Sequence, residues 1–245
     1  MDLKINDVAE LLQVSETTIK RWVEAGKIPN YRINDQLRFS LMEIENWMMS
    51  WQQGHAEIGI PTGDQDHIFS LPSQKEVGRQ KGGLQQFSLY RAIYKGDVYS
   101  DILGDTKEML IRGTMDSVTQ LLGVDAEVLT ELLLDREKLM PTALNHGIAV
   151  PHTRDFLLPG PCDVVVVVYP EEPIEYGALD GLPVHTLFFL FSSCDKRHLH
   201  LLAKIAHFAS LEAAHLLRSK PNKETLLDYM RHWESELCQP ETILS

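Results

Sequence analysis

Three side chains in the second half of the chain have the types that phosphoryl chemistry requires. His152 follows Pro151 at the end of the short apolar run Gly147-Ile148-Ala149-Val150. Pro151 fixes its own φ and cannot extend a ladder, so the imidazole is held at a rigid strand end, where binding residues commonly sit. Arg136 ends the helical stretch Leu132-Leu133-Leu134-Asp135-Arg136, where an unpaired guanidinium is expensive to bury. His198 follows Asp195-Lys196-Arg197 at a helix start, where unpaired N–H groups and the macrodipole favour an anion. A nucleophilic imidazole, an arginine fork and a histidine at a helix N-terminus are what holding a phosphoryl group requires. Spacing alone does not bring the three together. Two of them also have a plainer role: an exposed or backbone-bonded imidazole for His152, and a partner to a structural carboxylate for Arg136.

Other chemistries find less support. His198-Leu199-His200 invites a metal reading, yet residues two apart on a helix point to different faces, and no H-E-x-x-H or cysteine pair accompanies them. Cys162, Cys194 and Cys238 are far apart and odd in number, which fits reduced thiols better than a disulfide framework or a zinc ribbon. No metal and no cofactor is expected. His146, His185, His207 and His215 read as surface or satisfied core residues, and Asp180-Gly181 as a turn.

The elements that must position these groups can be read from periodicity. Asp163 to Tyr169, with five consecutive valines, and Thr186-Leu187-Phe188-Phe189-Leu190-Phe191 are runs typical of strands covered on both faces. Helical patterns surround them at 107–122, 126–136, 198–208 and 211–218, with a last helix begun by Asn222. Such strands interleaved with helices predict an α/β layered domain.

The first 51 residues have a different plan. Val8, Leu11 and Leu12 form one helical face, and Ser15 caps a second helix in which Ile19, Trp22 and Val23 turn inward. Thr17, Thr18, Lys20 and Arg21 are then expected to point outward, and Gly26 to end the helix. Tyr31-Arg32-Ile33 and Leu37-Arg38-Phe39 alternate about Asn34-Asp35-Gln36 as a hairpin, which sets Arg32 opposite Arg38. Like charges so placed cost stability unless an anion lies between them. Ser40 and Glu43 form a capping box for a third helix, with Ile44, Trp47, Met48 and Trp51 inward. Helix, turn, helix, wing and helix make a DNA-reading unit in which the second helix enters the major groove. A solvated hairpin on an accessory domain is the competing reading.

Composition narrows the choice. At 44% hydrophobic and 24% charged, the 245 residues suit one large or two modest globular domains. The formal charge of -12 argues against a protein that coats nucleic acid through bulk positive potential, while leaving room for a small local DNA-reading face. Gly and Pro recur with Gln through residues 52–87, which reads as a linker. No apolar run approaches a membrane span and the first residues do not form a signal peptide, so a cytoplasmic protein without membrane contact is expected. The resulting division is 1–51, linker 52–87, 88–238 and a tail 239–245.

Two resemblances add to this reading. Val8-Ala9-Glu10-Leu11-Leu12, Ser15 to Trp22, Gly26-Lys27-Ile28-Pro29 and the wing resemble the excisionase/MerR class of winged helix-turn-helix domains. That resemblance implies a recognition helix bearing Thr17, Thr18, Lys20 and Arg21, with Arg32 and Arg38 in the wing. Asp135 to Thr142, Gly147 to His152, Ala178 to Leu187 and His198 to Ala206 resemble the phosphotransferase-system IIA domain of the fructose/mannitol/nitrogen-regulatory class. This second resemblance implies a mixed sheet flanked by helices and a phosphoryl-accepting histidine at His152. Arg136 would stabilise the phosphate and His198 would be the second active-site histidine. The phosphodonor would be an HPr-like phosphocarrier protein charged from phosphoenolpyruvate. The segment Leu139 to His146 lacks the glycines usual in that class, and Thr153 stands where a glycine is common.

Three functions compete at this point. One is a transcription regulator whose DNA-binding domain is joined to a phosphorylatable domain, working as a homodimer because one small module touches only one half-site. Another is a phosphoryl carrier that passes the group to a sugar-specific IIB domain. A DNA-architectural accessory protein would account only for the first 50 residues.

Overall fold

The computed structural model describes residues 2–12, 14–52, 87–155 and 162–237, the side chains of 50–52 excepted. The linker expected over 52–87 falls almost wholly outside the described residues, as do the Trp51 side chain, Cys238 and the tail. The described residues form two compact units, divided between Gln86 and Phe87.

In the first unit β1 (Asp2–Leu3) leads into α1 (Ile5–Leu12) and α2 (Glu16–Glu24), followed by the hairpin β2 (Tyr31–Ile33) and β3 (Gln36–Ser40) and by α3 (Leu41–Gln52). Ser15 caps α2 by accepting the Thr18 N–H at 3.1 Å. The three strands run in the order β1-β3-β2, with Leu3 opposite Phe39. Phe39, Ile19, Val8 and Ile44 close the core with no exposed surface.

The wing differs from its expected register. Asn34 and Asp35 form the loop at φ 48° and 61°, a left-handed pair that these two residue types tolerate, and Gln36 joins the strand. Ile33 therefore pairs with Gln36, Arg32 with Leu37, and Tyr31 with Arg38. A slip of one residue moves every side chain to the other face, so Arg32 and Arg38 lie on opposite faces of the ribbon and do not repel across it. Arg38 instead donates to Gln36 Oε1 at 2.7 Å.

The second unit contains α4 (Ser88–Lys95), β4 (Val98–Ile102), α5 (Lys107–Leu122), α6 (Ala126–Leu139), β5 (Ile148–Ala149), β6 (Val164–Pro170), β7 (Thr186–Phe191), α7 (Asp195–Phe208), α8 (Leu211–Leu217) and α9 (Lys223–Glu236). Its sheet is mixed, in the order β4-β6-β7-β5: β6 and β7 are antiparallel, while β4 and β5 run parallel to their neighbours. Every residue of β6 and β7 is buried. Alternate residues Val164, Val166, Val168, Leu187 and Phe189 pack with Leu110, Met115 and Leu133 of α5 and α6. α4 and α7 lie against β6 and β7, so the sheet sits between helical layers.

In the second unit α4 and β4 escaped the sequence reading, as β1 did in the first. Phe87, at the N-cap of α4, offers no side-chain cap, and Glu234 supplies it from α9 by accepting the Leu89 and Tyr90 N–H groups at 3.3 and 2.8 Å. The ladder of β4 is interrupted between Tyr99 and Ile102, where Asp101 takes φ 58° and pairs with Lys220 at 2.7 Å. α7 begins at Asp195, one turn ahead of the expected start at His198. No helix among the described residues is long and apolar enough to cross a membrane.

Candidate functional site

His152 is placed by the edge strand β5. The chain enters β5 through His146 and Gly147, both left-handed at φ 65° and 76°. A Cβ on Gly147 would lie 2.6 Å from the His185 ring and 2.8 Å from the Pro183 carbonyl, so only glycine fits. His185 holds this turn from below, donating from Nε2 to the His146 carbonyl at 3.0 Å and leaving Nδ1 to meet the Thr186 hydroxyl at 2.8 Å. Burial first, and the Arg218 charge second, hold the His185 pKa below its usual value. Asp180 closes the turn from outside by accepting the His146 N–H at 2.8 Å.

Beyond β5, Pro151 accepts the Leu190 N–H at 3.0 Å, and His152 bridges to Leu190 of β7. The His152 Nδ1 lies 2.7 Å from the Val150 carbonyl. A carbonyl can only accept, so Nδ1 carries the proton and Nε2 presents its lone pair. His198 comes from α7, and its ring centroid lies 5.0 Å from that of His152 with the planes at 60°. Because α7 starts at Asp195, the His198 N–H is already bonded to the Cys194 carbonyl at 2.9 Å, leaving the imidazole as the group it offers.

The turn that delivers His198 is pinned by Asp163. This buried carboxylate accepts the Ser193 N–H and hydroxyl, each at 3.1 Å, and pairs with the Arg197 guanidinium. Arg136 sits at the C-terminal end of α6, buried, with Nη1 donating to the Met140 carbonyl at 2.9 Å. Next to it, Glu137 is buried and bonded to Thr142 and Lys107. Asp163, His185 and Glu137 were not singled out from the sequence. A signal was available for two of them: Glu137 follows an apolar helical stretch and Asp163 borders a buried strand, where charge needs a partner.

In the first unit Thr17, Lys20 and Arg21 are exposed on α2 and Arg32 on the wing, while Arg38 is half-buried. Thr18 does not join them. It is 5% exposed and its Oγ1 lies 2.9 Å from Ser15 Oγ, so it belongs to the helix cap and not to an outward face. A cleft of about 580 Å³ between α2 and the wing gathers Lys4, Lys20, Arg32 and Arg38 with Glu16 and Glu24. Arg21 stands apart from it.

Residues 93–233 match the family described as phosphoenolpyruvate-dependent sugar phosphotransferase system, EIIA 2, and residues 3–52 match a helix-turn-helix domain. A nitrogen regulatory protein of Pseudomonas aeruginosa is 35% identical over 132 residues, covering 51% of this chain and 83% of the relative. The transcriptional repressor DcmR of Methylorubrum extorquens is 50% identical over 34 residues, 14% of this chain and 13% of that protein. Among solved structures, nitrogen regulatory protein IIA-Ntr of Neisseria meningitidis superposes with a TM-score of 0.53 at 23% identity, covering 58% of this chain and 99% of that one. That likeness agrees with the mixed sheet between helices. On the extent of the match and the identity to nitrogen regulatory relatives, the chain belongs to the EIIA 2 family of the phosphoenolpyruvate-dependent sugar phosphotransferase system and carries a helix-turn-helix domain ahead of it.

Proposed function

We propose that this protein is a DNA-binding transcription regulator whose IIA domain accepts a phosphoryl group on His152 from an HPr-like phosphocarrier protein in the cytoplasm. The observation that carries the reading is the Nδ1–H bond of His152 to the Val150 carbonyl, which leaves Nε2 as nucleophile beside His198. In the transfer, Nε2 attacks phosphorus, the N–P bond of the carrier's phosphohistidine breaks, and the carrier imidazole leaves with the electron pair. His198 hydrogen-bonds the transferring oxygens, and Arg136 swings its guanidinium from the α6 end to neutralise them. The N-terminal unit reads DNA through α2 and grips the backbone with the wing, and a homodimer engages two half-sites.

The test incubates the full chain with the general phosphotransferase proteins and phosphoenolpyruvate, then maps the phosphopeptide. Acid-labile phosphate on the peptide containing His152, absent from His152→Ala, is the expected result. Transfer to that variant at the wild-type rate would overturn the assignment. DNA selected from a random-sequence pool by the full chain tests the other half of the reading.

A further inference from the structure

We infer that Glu137 and Thr142 are positioning residues for His152, setting which ring nitrogen holds the proton before the phosphoryl group arrives; the inference rests on the phosphoryl-acceptor reading of His152. The connection consists of four side chains and backbone groups in series. Glu137 uses both carboxylate oxygens on Thr142: Oε1 accepts the hydroxyl, and Oε2 accepts the N–H at 3.2 Å. Lys107 lies 3.0 Å from the same Oε2 and 4.4 Å from the centre of the Tyr176 ring, which balances the buried charge. With its donors committed, the fully buried Thr142 turns its carbonyl to the Val150 N–H at 2.9 Å. The Val150 carbonyl in turn accepts the His152 Nδ1–H.

The backbone between those last two bonds has little freedom. Val150 precedes a proline, which confines it to extended geometry, and Pro151 has a fixed φ and a carbonyl bonded to Leu190. The direction of the Val150 carbonyl therefore follows from where Thr142 holds its N–H. A carboxylate suits position 137 because two donors of one residue must be met by two acceptors. A glutamine would keep one acceptor for the Thr142 N–H but meet the hydroxyl with a donor, reversing that bond, and would remove the negative charge beside Lys107.

The experiment uses the full chain labelled with ¹⁵N-histidine and reads which nitrogen of each imidazole is protonated, with His152 assigned by its loss in His152→Gln. Wild type should show His152 in the Nδ1–H form. Glu137→Gln and Thr142→Val should raise the Nε2–H population of His152 and slow phosphoryl acceptance roughly tenfold, the lower end of what partners that orient a reactive imidazole contribute, with the carrier KM unchanged. Thr142→Ser keeps the hydroxyl and should restore both. The double variant should be no slower than the slower single one, because the two act in series. Should Thr142→Val disturb the amide spectrum generally, Glu137→Gln against Thr142→Ser makes the same comparison. An unchanged His152 tautomer in folded Thr142→Val or Glu137→Gln overturns the inference, whatever the transfer rate. If wild type takes no phosphate while the tautomer responds as stated, the acceptor reading fails and the control of the ring stands.

Discussion

His152 and His198 meet with ring centroids 5.0 Å apart, although one stands at the edge of the sheet and the other on the helical layer beside it. Separate devices hold them. His152 is oriented through Val150, and the turn that carries His198 is tied by Asp163 to Ser193 and Arg197. The hydrogen bond that orients His152 and the bonds that tie the His198 turn share no residue.

His198→Ala should therefore keep the His152 tautomer and lower phosphoryl acceptance by roughly 100-fold, as expected for losing one donor to a developing charge. Initial rates of labelled phosphate transfer at saturating carrier measure this. A rate within twofold of wild type would leave His198 without a part in the chemistry.

Arg136→Gln should slow transfer while costing about 1.5–3 kcal/mol of stability, the range for losing a charged-group hydrogen bond such as the one to the Met140 carbonyl. Denaturant unfolding and transfer rates on the same preparation separate the two. A large loss of stability with normal transfer would mark the guanidinium as a structural group.

Thr17 and Thr18 should behave oppositely. Thr17 is exposed, and although its Oγ1 also lies 2.8 Å from Ser15 Oγ that bond is open to water, so Thr17→Ala should change affinity for selected DNA at a stability cost below about 0.5 kcal/mol. Thr18 is part of the Ser15 cap, and Thr18→Ala should cost about 1 kcal/mol with no change of base preference. Urea titration beside DNA titration distinguishes them.

Lys20→Ala, Arg32→Ala and Arg38→Ala should each lower the slope of log affinity against log salt by about one unit, since each cation lines the cleft beside the wing. Arg32 and Arg38 leave the ribbon from opposite faces yet line the same cleft, so the double variant tells whether they hold one phosphate or two: additive losses mean separate contacts. A loss confined to one DNA sequence would move that residue from backbone gripping to base reading.

His207 provides a pH test of the second unit. Burial holds its pKa below the usual 6.5, so the unfolded chain takes up this proton before the folded one does. Stability from this group is complete above about pH 6.5 and is lost as pH falls through the folded value. Unfolding midpoints of wild type and His207→Gln should converge as the solution is acidified from pH 7.5, and a constant gap would refute this. The ring lies 5.5 Å from Trp233, whose emission gives a second readout.

The parts of the fold legible in sequence were those where burial dictates composition. The five valines of β6 and the aromatic β7 are buried throughout and read directly as covered strands. Asp125, Ser210 and Asn222 each cap the helix they precede, as their types suggest. β4 was hidden because Val98-Tyr99-Ser100-Asp101-Ile102 is partly exposed and interrupted, and α4 because its cap comes from Glu234, far along the chain. The wing slipped by one residue because Asn34-Asp35 suffices for the loop. Of the site, His152 and His198 announce themselves by type and place. Thr142 does not, and Glu137 signals only that a partner is needed, since a buried polar group is understood only when that partner is known.

The interrupted ladder of β4 has a consequence for how this protein keeps to itself. A sheet margin is a row of unmet backbone donors and acceptors that another chain can copy onto, and natural proteins blunt such margins. Here the break between Tyr99 and Ile102, with the Asp101–Lys220 pair beside it, leaves no continuous template on one margin. On the other, Thr142 to Leu144 folds back on β5 and occupies its free groups. Both borders therefore offer a second copy little free strand to pair with, which works against edge-to-edge stacking of the second unit.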